Sequence, residues 1–154
     1  MPAGDRLPTS GDTFALEVNG FLAADAGFDG ADWWIVGDLT GFGEVTVRDQ
    51  DTDLHGVNGA MAALDTIAKQ PIIATLACNT GTASTAEAAY REAATAFTAG
   101  PDTELHIWAP DWGHVYYTGR GRGSVPRRIN MASGVMFAQC TFMALDPTPV
   151  EVAP

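Results

Sequence analysis

From residue 135 to residue 145 the chain alternates. Met136, Ala138, Cys140, Phe142 and Ala144 place apolar groups on one side of an extended segment. Phe137, Gln139, Thr141, Met143 and Leu145 place a mixed set on the other. A period of two marks a β-strand, and the mixed second face implies that both faces touch something. Strands of this kind suit a sandwich or a sheet shared between subunits. Residues 14–18 alternate in the same way, with Phe14, Leu16 and Val18 set against Ala15 and Glu17. Asn19-Gly20 follows and predicts a tight hairpin turn, with Phe21 and Leu22 opening the return strand. Residues 33–36, 44–48, 72–78, 104–109 and 114–118 read as further strands, the last two joined by a turn at 110–113.

One segment has the other period. Ala86, Ala89, Tyr90, Ala93, Ala94 and Phe97 recur at three- and four-residue spacing and form a single apolar stripe. Ser84 and Glu87 read as a capping box, and Gly100-Pro101 closes the pattern, which predicts a helix over 84–99. The stripe is mostly alanine, so this helix can approach its neighbour closely, with Tyr90 and Phe97 as anchors. Met61, Leu64, Ile67 and Ala68 also stand at helical spacing. They predict a short helix over 61–69, stopped by Pro71, with an irregular connection as the alternative in a pure β reading.

These elements describe a mainly β, α+β chain: an antiparallel β-sandwich with one packed helix. Residues 1–11, rich in proline and glycine, read as a flexible or docking arm. Residues 12–147 read as a single domain and 148–154 as a C-terminal tail. The 154 residues, 46% of them hydrophobic, are enough to bury a core without disulfides or metals. Cys78 and Cys140 each fall within an apolar strand and read as buried free thiols. No run approaches the length that spans a bilayer, and the first residues lack the pattern of a signal peptide. A soluble protein made in the cytoplasm is the expectation.

Charge changes the picture at one place. Nineteen acidic residues against eight basic ones give a net charge of −11, yet four of the eight bases, Arg120, Arg122, Arg127 and Arg128, lie within nine residues. Binding to nucleic acid backbone is disfavoured by the acidic balance. The alternation of glycine and arginine over 119–123 could stack on single strands, but carboxylates of a neighbouring subunit are the better partners. Pro126 cannot donate to a ladder, so 125–126 belongs at a strand start, a bulge or an edge. Arg127 and Arg128, adjacent in an extended segment, should point to opposite faces.

Other candidate chemistry is thin. Asp49, Asp51 and Asp53 suggest a calcium loop, but Leu54 and Ala60 stand where that loop needs glycine and glutamate, so a solvated acidic loop is the reading. His106 and His114 flank one hairpin and could approach each other across it, and Asp111 would complete a metal site only if geometry allowed; no metal is predicted. Trp33, Trp34, Trp108 and Trp112 read first as packing aromatics, with a sugar-binding platform as the alternative. No serine elbow, HExxH or phosphate loop is present, so no catalytic residue and no cofactor are assigned.

The order of aromatic strand, Gly-Arg-x-Arg, Pro-Arg-Arg, apolar strand and Asp-Pro resembles the end of the first domain of phage distal tail proteins, the minor tail proteins of long non-contractile tails. Tyr117, Gly119, Arg120, Arg122, Pro126, Arg127, Arg128, Phe142, Asp146 and Pro147 carry the likeness. It runs over roughly the last third of the chain and the helix before it. The resemblance implies a sandwich domain with a lone helix, and a structural virion protein at the tail tip. It implies a homohexameric ring between the tail tube protein and the baseplate hub protein, around the end of the tape-measure protein. On that reading Arg120, Arg122, Arg127 and Arg128 of one subunit meet Asp49, Asp51 and Asp53 of the next. Longer members continue past the Asp-Pro pair with a second domain, whereas here only 148–154 follow, so host-receptor binding is not implied. A tube or tail-terminator subunit, a stand-alone carbohydrate-binding module and, last, a small hydrolase are the alternatives.

Overall fold

The structure, a computed structural model, describes residues 14–24, 34–42, 47–48, 52–53, 60–61, 66–67, 70–98, 100, 103–110, 112–130, 133–146 and 148–153. At 47–48, 52–53, 60–61, 66–67 and 125–130 it describes the backbone only. Strands β1 (Ala15–Val18) and β2 (Phe21–Ala24) form the hairpin predicted at Asn19-Gly20. Asn19 has φ 50° and Gly20 φ 79°, the two positive values that a tight two-residue turn between twisted strands requires.

The strands β3 (Trp34–Thr40), β8 (Gln70–Asn79), β9 (Thr103–Ala109), β10 (Gly113–Asn130) and β11 (Val135–Ala144) join β1 and β2 in one antiparallel sheet. Its order is β2-β1-β9-β10-β11-β8-β3. A short strand, β12 (Val150–Glu151), within the segment read as a tail, pairs with β10 at Val115 and Tyr116.

The long strand β10 turns this sheet into a sandwich. Its first part, Gly113 to Gly119, pairs with β9, and its remainder, Gly119 to Asn130, pairs with β11 on the other side. Register breaks at Gly121/Gly123 and at Pro126/Arg128 add local bend and twist. The bulge at Pro126 is one of the three places a proline could stand. The inward residues of both parts share one core: Leu16, Val18, Leu105, Ile107, Val115 and Tyr117 meet Ile72, Leu76, Met136 and Phe142. Each large side chain buried there contributes roughly 1.5–3 kcal/mol. Phe21 on β2 meets Trp34 on β3 edge to face, with centroids 6.0 Å apart, and so joins the two ends of the sheet.

Helix α1 (Ala83–Ala96) packs on β2, β10 and β11 through Ala86, Ala89, Ala93 and Ala96, and Phe97 follows as its buried C-cap. The stripe is as the spacing predicts, but the cap is not. Thr82, not Ser84, is the N-cap, its hydroxyl accepting from the Thr85 amide at 3.4 Å. Glu87 pairs with Arg91 at 2.6 Å, so it is turned along the helix.

Within the segment 61–69, predicted as a helix, the described residues are strand instead. Ala60–Met61 (β6) pairs with Thr52–Asp53 (β5), and Thr66–Ile67 (β7) pairs with Val47–Arg48 (β4). Met61 and Ile67 are thus strand residues. Cross-strand pairing overrides a weak apolar spacing here. These pairs nearly keep the register of the β3–β8 ladder, which matches Thr40 with Ile73. The arm read at 1–11 and the start of the strand read at 44–48 lie outside the described residues.

Candidate assembly surface and a histidine cluster

The glycine–arginine run lies within β10. Gly119 and Gly121 stand in register with Ala144 and Phe142, on the core side, while Arg120 stands opposite Met143 on the outer face. Arg122 is the extra residue of the first bulge. A Cβ on Gly119 would collide with the Met143 carbonyl, and one on Gly121 with the Phe97 carbonyl. The Phe97 carbonyl also accepts the Gly123 amide at 3.0 Å. The glycines thus let β11 and the helix end lie directly on the strand. The same contacts hold the backbone from which the arginines project.

Arg120 and Arg122 are both exposed. Among the described residues, neither meets a carboxylate. Around Arg120 the outer face of β8 and β11 carries Ile73, Thr75, Ala77, Phe137, Gln139, Thr141 and Met143, all half-buried and uncharged. Ile35, 48% exposed, continues this face onto β3, where Asp38 adds a charge. The alternation seen in the sequence thus produces a broad, largely neutral face with arginines at its margin.

Other residues singled out by sequence are placed as follows. Arg127 falls in the second bulge and has no register partner, while Arg128 pairs with Phe137. The bulge interrupts the simple alternation expected of these neighbours. Asp53 lies in β5 opposite Ala60. Asp49, Asp51, Asp111 and Trp33 lie outside the described residues. Trp34 and Trp108 are buried, and Trp112 is 45% exposed and leans on Phe42 with centroids 4.7 Å apart.

His106 and His114 do come together. The β9–β10 register sets His114 opposite Trp108, Tyr116 opposite His106 and Thr118 opposite Glu104, all on the outer face. His106 Nδ1 lies 2.8 Å from His114 Nε2, and His106 Nε2 lies 2.9 Å from a Glu104 oxygen. Trp108 stacks on His114 with centroids 4.3 Å apart and an interplanar angle of 18°. From the other side, β1 brings Glu17 opposite His106, and Glu17 is fully buried. Burial holds the His114 pKa below its ordinary value; the neighbouring His106 adds to this, and Glu17 opposes it. Sequence reasoning misses Glu17, because only the strand register shows that it shares a face with the histidines; Glu104 stands two residues before His106 on the predicted strand, so the period of two could have found it. Among the described residues, no group of three or more His, Cys, Asp or Glu side chains is placed to hold a metal ion.

The two cysteines are buried and free. Burial raises both thiols, Cys140 to about 12.

The chain matches no protein-family model and no curated protein. Its fold is similar to that of solved phage proteins. SPP1 Dit (gp 19.1), described as a paradigm of the hub adsorption apparatus in phages infecting Gram-positive hosts, superimposes with a TM-score of 0.68 at 14% identity, over 88% of this chain and 51% of that one. A chain of the phage P2 baseplate, in its activated conformation with Ca, gives a TM-score of 0.61 at 8% identity, over 86% of this chain and 44% of that one. The chain therefore spans about half the length of these structures or less, and what it shares with them is the fold.

Proposed function

We propose that this chain is a structural subunit of a phage tail, forming a homohexameric ring at the tail tip between the tail tube protein and the baseplate hub protein. The observation that carries this reading is the pair Arg120 and Arg122. They are exposed, without a carboxylate partner among the described residues, and borne on a strand whose glycines lie against the Phe97 and Met143 carbonyls, in a protein with net charge −11. Guanidinium groups held in this way favour carboxylates of another copy, where pairing sets register and orientation more than stability. The neutral face beside them supplies area that a neighbour can cover. Asp49, Asp51 and Asp53 are the proposed counterparts, with Arg127 and Arg128 extending the basic strip. The shared fold with phage hub and baseplate proteins supports the same reading. The tape-measure protein would end within the ring.

Mass in solution and electron micrographs test this. A particle of about six chains with a central opening is the expected result. Arg127→Glu should yield folded monomers by circular dichroism. An intact ring from that variant would overturn the arginine–carboxylate pairing, and a wild-type chain that stays monomeric at high concentration would overturn the ring.

A further inference from the structure

We propose that His106 and His114 form a proton-operated latch across the β9–β10 ladder, closed while the pair holds at most one added proton and opened by the second.

The chemistry follows from the order of the contacts. An ionised carboxylate only accepts hydrogen bonds, so Glu104 requires a proton on His106 Nε2. Neutral His106 then presents a bare Nδ1, and His114 must donate to it from Nε2. One carboxylate thereby sets the tautomers of both rings. A first added proton is accommodated, because it can sit between the rings while His114 changes tautomer and accepts. A second cannot. It leaves two N–H groups facing each other at a nitrogen separation of 2.8 Å, with a positive charge on each ring. The hydrogen bond is lost and repulsion replaces it.

The groups around the pair decide where the strain goes. Glu17 of β1, fully buried, and Glu104 of β9 favour positive charge on the rings. Tyr116 of β10 lies against His106, with ring centroids 5.3 Å apart. Glu151 of β12 is exposed and in register with Val115, and the amide of Val152 beside it donates to the His114 carbonyl at 2.9 Å. His106 is 5% exposed and cannot move away without opening the strand pair. His114 is half-buried and can swing outward. Its ring covers Trp108, which packs in a separate apolar cluster with Ala15, Leu22 and Ala24 on this outer face. Release of His114 would therefore uncover Trp108 first.

The test combines imidazole nitrogen NMR with hydrogen exchange on the full chain between pH 7.5 and 4.5. At pH 7.5 both rings should carry their proton on Nε2. On acidification the pair should titrate in two separate steps. At the second step, backbone exchange over 103–109 and 113–118, corrected for its intrinsic pH dependence, should rise about tenfold relative to β11. That is the change in open population produced by a tenfold difference in proton affinity between closed and open forms. His114→Gln keeps a donor toward His106 but cannot take up a proton, so its exchange over these segments should stay flat. Acid opening of that variant at the wild-type pH would overturn the latch. So would a proton on His106 Nδ1 at pH 7.5, or two rings titrating independently with no change at Trp108. The wild-type measurements decide the question even if the variant does not fold, and neither readout depends on ring assembly.

Discussion

The Phe97 carbonyl accepts the Gly123 amide at 3.0 Å and occupies the place where a Cβ on Gly121 would stand. The end of the helix is therefore seated on a strand that only glycine permits at that point. Gly121→Ala should displace this carbonyl and cost roughly 2–4 kcal/mol, combining overpacking with a lost hydrogen bond. Thr118→Ala, at an exposed position on the same strand, should change little. Urea unfolding of the two variants provides the comparison, and equal midpoints would contradict the seating.

The two possible caps of α1 are separable by experiment. Thr82→Ala should cost about 1 kcal/mol, because the hydroxyl that accepts from the Thr85 amide is lost. Ser84→Ala, an exposed change within the first turn, should be close to neutral. Helix content and thermal midpoint check both, and the opposite ranking would restore the cap read from sequence.

This difference shows what the sequence could reveal. The alternation at 135–145, the Asn19-Gly20 turn and the alanine stripe each depend on neighbours in the chain, and each is found in the structure. The course of β10 is harder to see. Gly119, Gly121, Gly123 and Pro126 look like breaks in a strand, yet the strand continues through them, because glycine admits Phe97 and Met143 and a bulge absorbs the proline. Met61 and Ile67 stand at helical spacing, but cross-strand partners earlier in the chain, Thr52 and Val47, draw them into strands. In the histidine cluster, the approach of His106 and His114 across a hairpin is legible. Glu17 is not, since nothing local indicates that β1 lies beside β9.

The thiols offer a check on the core. With its pKa pushed up to about 12 by burial, Cys140 stays in the unreactive thiol form at pH 8. Cys78, also raised by burial, shares the same environment of paired strands. Neither should react with a thiol reagent in the folded protein at that pH, and both should react at once in denaturant. Rapid labelling of native Cys140 would mean that β11 opens readily.

His114 makes stability depend on pH with a definite sign. Its native pKa lies below the ordinary 6.5, so the unfolded chain binds the proton first as pH falls. The stability linked to this group is complete above pH 6.5 and is lost as pH drops through the native value. Urea midpoints measured between pH 8 and 5 should therefore fall more steeply for the wild type than for His114→Gln. Carboxylate titrations contribute to both proteins, so the difference between the two curves is the quantity to read. Parallel curves would mean that the imidazole is not held in its neutral form.

Charge reversal gives the sharpest test of the assembly surface. Arg120 and Arg122 are exposed, so replacing both by glutamate removes no carboxylate pairing within the described subunit and should leave its thermal midpoint nearly unchanged. Assembly should respond differently. Like charges placed across an interface cost several kcal/mol, enough to shift a ring to monomers at micromolar concentration. The proposed wild-type ring should also loosen as salt is raised, since rim pairs are screened over about 10 Å at 0.1 M. If Asp49, Asp51 and Asp53 are the counterparts, replacing them by lysine in the reversed background should bring the ring back. Replacing them in the wild type alone should dissociate it. Rescue requires that the two sets meet, whereas a general effect of net charge would make the reversed arginine variant, already more acidic than −11, recover with any added lysines. Lysines placed instead at Glu87 and Glu92, exposed on the helix, supply that control. Recovery by the helix lysines would remove the specific pairing and leave only bulk electrostatics.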